Sequence, residues 1–133
     1  MTADSAAAGL WAGFLDRVPA STAVAFAREL EAAGVGTIWL QEFSGVDPFV
    51  RAALYLSATS SLRVALGVAV IYGRDPEAMT AAAWALEEAF PGRFTLGLGV
   101  SHRPMVEARG HVYGPPVATM RSYLAAMDAA KGK

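Results

Sequence analysis

The chain has 133 residues, a formal net charge of −1, 54% hydrophobic and 17% charged residues, and no cysteine. This length sets one compact domain as the expectation, and this composition argues against disorder. A near-neutral charge without a basic run points away from nucleic acid and from an anionic membrane surface. The lack of thiols excludes disulfides, thiolate metal sites and cysteine nucleophiles, and fits a cytoplasmic location.

Along the chain, strand-like runs alternate with helix-like runs. Ala6–Leu15 is apolar enough for a signal-peptide core, but Asp4 and no Lys or Arg precedes it, so it reads as part of the protein. Within it, Gly9–Leu15 is the first strand candidate. Ser21 or Thr22 is placed to cap a helix running to Ala33, with Val24, Ala27 and Leu30 at helical spacing and Gly34 as the stop. Thr37–Gln41 is the second strand. Asp47-Pro48 reads as a helix start, an acceptor for orphan N–H groups followed by a proline at the first helical position, and the helix continues to Thr59.

Arg63–Val70 is the third strand. Apolar or small residues at nearly every position suit a parallel strand buried on both faces. Its Val64–Tyr72 region is the longest apolar run outside the N-terminus and is far too short to span a bilayer. Asp75-Pro76 repeats the helix start, and Phe90-Pro91-Gly92 ends that helix. Arg93–Val100 is the fourth strand, Ser101–Pro115 a long polar loop, and Val117, Met120, Leu124 and Met127 mark a last amphipathic helix before a frayed tail, Lys131–Lys133. This (βα)4 pattern predicts a parallel α/β sheet with right-handed crossovers, either a small doubly wound sheet or half of a barrel.

In such folds the C-terminal ends of the strands form the active face. Glu42 after the second strand, Tyr72 and Arg74 after the third, and Ser101, His102 and Arg103 after the fourth are the candidates there, against the plainer reading of ordinary loop polarity. Gly97-Leu98-Gly99 lacks the third glycine of a dinucleotide fingerprint, and Pro104 and Gly110 place the following segment in a loop. No Walker loop is present, His102 and His111 lack acidic companions at metal spacing, and Ser101 is not set in a strand-to-helix elbow. Trp11, Trp39 and Trp84 read as core residues.

The stretch Gly67–Gly99, GVAVIYGRDPEAMTAAAWALEEAFPGRFTLGLG, followed by Val100-Ser101-His102, closely resembles the luciferase-like monooxygenase superfamily, in particular its branch dependent on the deazaflavin coenzyme F-420. Gly36–Glu42 resembles that family's second strand with its acidic end, and Met120–Leu124 its fourth helix. The resemblance runs from about Gly9 to Ala130. It implies the N-terminal (βα)4 half of a TIM (β/α)8 barrel, a luciferase-like α/β fold, and coenzyme F-420 as cofactor with FMN as the alternative.

The same resemblance implies a non-proline cis bond on the third strand, at Ala69–Val70, where small Gly67 and Ala69 let the cofactor ring approach. It assigns Glu42, Ala69, Val70, Tyr72, Ser101 and His102 to the cofactor pocket, with Glu42 and His102 as catalytic residues and His102 as a general acid or base. In the family's sugar-phosphate dehydrogenases a histidine follows the acidic residue of the second strand and a glutamate donates the proton after the fourth. Phe43 and His102 stand at those positions here, which points away from a sugar-phosphate substrate. The expected chemistry is hydride transfer with a small organic molecule. Open edges predict a partner, a second copy or a complementary C-terminal half-barrel; the alternative is a non-enzymatic truncated paralogue serving as an interaction module.

Overall fold

The computed structural model describes residues 8–43 and 45–130. The readings of the leader segment before Ala8 and of the tail Lys131–Lys133 lie outside these residues. The chain order is β1 (Gly9–Trp11), a 3-10 turn at Gly13–Arg17, α1 (Ala20–Ala32), β2 (Thr37–Leu40), α2 (Pro48–Ala58), β3 (Arg63–Leu66), β4 (Ala69–Val70), a 3-10 turn at Ile71–Gly73, α3 (Pro76–Ala89), β5 (Phe94–Thr95), β6 (Leu98–Gly99), α4 (Arg103–Ala108) and α5 (Pro116–Ala130). All strand pairs are parallel, in the orders β1-β2-β3-β5 and β4-β6. The expected (βα)4 alternation is thus present, as a partial barrel.

Both Asp-Pro helix starts act as expected. Asp47 Oδ1 accepts from the N–H groups of Phe49 (2.9 Å) and Val50 (3.0 Å), and Asp75 Oδ1 from Ala78 (2.8 Å). The first helix differs. It begins at Ala20 behind Pro19 with no side-chain cap, so Ser21 and Thr22 fall inside its first turn. Proline's fixed φ delivers the chain into the helix without a capping hydroxyl.

Three expected strands are shorter or interrupted. The first ends at Trp11, where the chain turns to bury Leu15 against the sheet. The third is split into β3 and β4, and its cis bond is Gly67–Val68, two residues before the expected Ala69–Val70. The position follows the pairing. Gly67 N–H donates to Leu40 O (2.6 Å) and Ala69 N–H to Gly97 O (2.7 Å), so the strand changes its partner from β2 to β6 at this point. The fourth splits likewise into β5 and β6, since a Cβ at Gly97 would collide with Leu66 O and one at Gly99 with Val68 Cγ2. Only glycine permits that approach of backbone to its neighbour.

Alternation along the strands sorts the two sheet faces. Ile38, Val64 and Phe94 turn to the helices and, with Ala27, Leu56, Leu66 and Met79, form the core. Trp11, Trp39, Ala65 and Thr95 share one register row on the other, concave face. There Trp11 is 59% and Trp39 40% exposed, and Trp84 on α3 is 67% exposed. The expectation that the three tryptophans are core residues is therefore corrected. A complete barrel fills its interior with inward side chains from all eight strands, and the strands described here supply only part of that filling.

The N-terminal strand ends are tied by charge-assisted bonds. Glu31 Oε1 accepts from the N–H groups of Ser60 (2.9 Å), Ser61 (2.6 Å) and Leu62 (2.9 Å), joining α1 to the turn before β3. Arg93 donates to Leu62 O (3.1 Å), Leu56 O (3.2 Å) and Thr59 Oγ1 (2.8 Å), joining β5 to the same turn. No helix among the described residues is long and apolar enough to cross a membrane.

Candidate active site at the strand C-termini

The chain leaves β2 through Gln41 and Glu42, and Glu42 N–H donates to Val68 O (3.0 Å), which brings the acidic residue over the break in the third strand. Its side chain is only 7% exposed. Glu42 Oε2 accepts from Val70 N–H (2.6 Å), and Oε1 from Arg74 Nη1 (2.8 Å). Arg74 Nη2 pairs with Asp47 Oδ2, its guanidinium lies 4.7 Å from the Phe49 ring centroid, and its carbonyl accepts from Tyr123 OH (2.8 Å). One arginine thus ties the end of β2, the cap of α2 and the middle of α5 together.

The titrations follow from these contacts. Burial acts to raise Asp47, but the Val50 N–H bond, Arg74 and the Phe49 N–H bond outweigh it and hold the carboxyl below its ordinary value. Burial acts to lower Arg74, and its bonds to Asp47 and Glu42 raise it instead. The Tyr123 hydroxyl is pushed up to about 12, first by burial and then by the charge of Asp75.

Next to this cluster is a cavity of about 420 Å³. Its wall includes Glu42, Val70, Tyr72 and Ser101, so four of the six expected pocket residues meet around one space. The other two do not line it. Ala69 is fully buried, and His102 is exposed beside the cavity, its carbonyl accepting from the N–H groups of Met105 and Val106 (both 3.0 Å) at the start of α4. Val70 also has its N–H committed to Glu42.

Sequence reasoning missed α4, whose Met105, Val106 and Ala108 form a wall of the cavity. Pro104 marked the segment as a loop, yet it lies in the first helical turn, where proline needs no N–H partner. Ser101 therefore does stand between a strand and a helix, at φ 57°. The loop after α4 is fastened by aromatic residues. Tyr72 and Tyr113 stack at 5.9 Å and 26°, Tyr113 OH donates to Ser101 O (3.2 Å), and Gly114 N–H donates to Tyr72 OH (3.0 Å). Arg109, at the C-terminus of α4, is a cavity residue that no spacing singled out. Among the described residues no group of three or more His, Asp or Glu side chains is placed to hold a metal ion.

Comparison with known proteins matches residues 3–132 to a family model described as luciferase-like monooxygenase. An uncharacterized protein of Mycobacterium tuberculosis, Rv1360, is 36% identical over 101 residues, covering 75% of this chain and 29% of the relative. Another protein of that organism, named "Putative coenzyme F420-dependent oxidoreductase Rv3520c", is 32% identical over 117 residues, covering 87% of this chain and 34% of the relative. The chain therefore spans about a third of the length of these relatives. Among solved structures, the oxygenating constituent of 3,6-diketocamphane monooxygenase from Pseudomonas putida, in complex with FMN, superposes with a TM-score of 0.79 at 14% identity over 92% of this chain and 38% of that one. This structural likeness speaks for the fold.

Proposed function

Because this chain belongs to the luciferase-like monooxygenase family, we propose that it forms the N-terminal half of a barrel oxidoreductase using coenzyme F-420, with FMN as the alternative. A relative named for coenzyme F420 and a fold shared with an FMN complex support this cofactor class. The observation that carries the reading is the surface at the strand C-termini. Val68 is exposed on the concave side beside the bare backbone of Gly97 and Gly99, and the buried Glu42–Arg74 pair stands at its edge. An exposed apolar side chain beside glycine backbone offers apolar contact to a ring, and strand C-termini are where barrels of this class bind ligands.

When bound, the flavin or deazaflavin supplies hydride acceptance or donation. The chain's own residues hold and orient it. Val68, Gly97 and Gly99 offer this contact. Glu42, fixed by Val70 N–H and Arg74, is a positioning residue rather than a proton carrier, since both of its oxygens are engaged. His102, exposed next to Ser101, is the imidazole available to exchange a proton with a substrate. The substrate is a small organic molecule held beside Tyr72 and Ser101. The concave row of Trp11 and Trp39 is covered by the four further βα units that complete the barrel.

The test is a fluorescence titration of the purified chain with F-420 and FMN. Saturable, stoichiometric binding of one of them is expected, and it weakens in Val68→Asp. Failure of both to bind, alone and with a complementary half-barrel present, would refute the cofactor reading.

A further inference from the structure

We propose that the cavity between the strand ends and α4 is built for an organic acid, with Arg109 as the residue that selects the carboxylate. The inference deepens the oxidoreductase reading by naming a substrate class, and it rests on that reading only for the reaction, not for the binding.

Two donors at this cavity lack protein partners. Among the described residues no carboxylate oxygen lies within ion-pair distance of Arg109, whereas Arg74 pairs with Glu42 and Asp47 and Arg103 with Glu107. Arg109 is exposed, but its guanidinium is placed beside the strand ends. A Cβ on Gly73 would lie 3.5 Å from Arg109 Nη2 and 3.0 Å from Glu42 Oε1, so both groups flank the same patch of backbone. Glu42 flanks the same patch but makes no ion pair with Arg109, its oxygens accepting from Val70 N–H and Arg74. Ser101 lines the same cavity, and its hydroxyl makes no hydrogen bond among the described residues; only its carbonyl is engaged, by Tyr113.

Around these donors the wall is apolar, with Phe43, Val70, Met105 and Val106. With the oxygens of Glu42 already engaged, the apolar wall, the unpaired Arg109 guanidinium and the Ser101 hydroxyl match a ligand with an apolar body and an anionic acceptor. Bonds from a guanidinium to a carboxylate are stronger than neutral ones. An ammonium ligand meets repulsion from Arg109 and finds only Glu42, whose oxygens already accept from Val70 N–H and Arg74. A neutral alcohol gains the wall but leaves the cation unused.

The experiment titrates the full chain with octanoate and with 1-octanol, following tryptophan fluorescence, in wild type, Arg109→Gln and Arg109→Lys. Wild type is expected to bind octanoate about tenfold more tightly than the alcohol. Arg109→Gln abolishes that preference while octanol binding stays unchanged, and Arg109→Lys keeps part of it. Equal binding of acid and alcohol by wild type, or a preference that survives in Arg109→Gln, would overturn the proposal. A parallel titration compares FMN with riboflavin. If Arg109→Gln weakens FMN but not riboflavin and leaves octanoate untouched, the cation serves a cofactor phosphate and the proposal is wrong. If neither F-420 nor FMN binds while the Arg109-dependent preference for octanoate stands, the carboxylate site is upheld and the cofactor reading alone fails.

Discussion

Replacing Glu42 tests whether the site is held together by this one carboxylate. Glu42→Ala removes the bond to Val70 N–H and the bond to Arg74, and leaves a buried N–H without an acceptor, since Val70 is 7% exposed. A hydrogen bond to a charged group contributes about 1.5–3 kcal/mol, and an orphaned buried donor costs about 1–3 kcal/mol. Arg74 keeps Asp47, so its share of the loss lies at the low end. The expected total is about 3–4 kcal/mol, which for a chain of this size lowers Tm by roughly 10 °C. Glu42→Gln keeps an acceptor for Val70 but loses the charge and turns an amide NH2 towards Arg74, so it should cost less than Glu42→Ala, about 1–2 kcal/mol, roughly 5 °C. Thermal melts followed by far-ultraviolet circular dichroism read both variants. If Glu42→Ala melts within about 2 °C of wild type, or Glu42→Gln is as damaged as Glu42→Ala, the carboxylate does not hold the strand ends as argued.

Glu31 gives a pH signature. The N–H bonds of Ser61 and Leu62 hold its carboxyl down to about 2, from an ordinary value of 4.5. A folded value below the unfolded one stabilises the fold above pH 4.5, and that contribution is lost as pH falls from there towards 2. Glu31→Gln should flatten the acid limb of Tm against pH, whereas parallel limbs in the two proteins would refute the link. His102→Ala should lower turnover of an active assembly more than it weakens cofactor binding, and steady-state kinetics with unchanged turnover would remove His102 from the mechanism. Exposed Val50 and Leu54 on α2 and Trp84 on α3 give apolar faces for self-association. Light scattering at micromolar concentration should show a homodimer, and a clean monomer would sink that expectation.

What was legible in the sequence follows the physics of each signal. The Asp-Pro helix starts act locally, through an aspartate oxygen and the next two or three N–H groups, so spacing alone placed α2 and α3 correctly. The alternation of strands and helices fixed the parallel order. The breaks in the third and fourth strands were not legible, because they arise from contacts between strands, of Gly67 with the Trp39 ring and of Gly97 with Leu66 O, and an apolar run reads the same whether it is continuous or split. The tryptophans misled for a related reason. Residue type reports the wish to be buried, and the register row Trp11–Trp39 shows which face they occupy.

At the site, Glu42, Tyr72 and Ser101 could be found because they follow strands, and the topology delivers strand ends to one place. Arg109 could not. It reaches the cavity only because Pro104 starts a helix rather than a loop, and that helix brings its last residue back towards Gly73. His102, next to a cavity residue in sequence, does not line the cavity: its carbonyl closes the first turn of α4, and its side chain is exposed and makes no capping bond. Chemistry assigned by proximity in sequence therefore divides at this turn. Ser101 and Arg109 line the cavity, where the proposed acid would bind, whereas Glu42 has both its oxygens committed to holding the strand ends together.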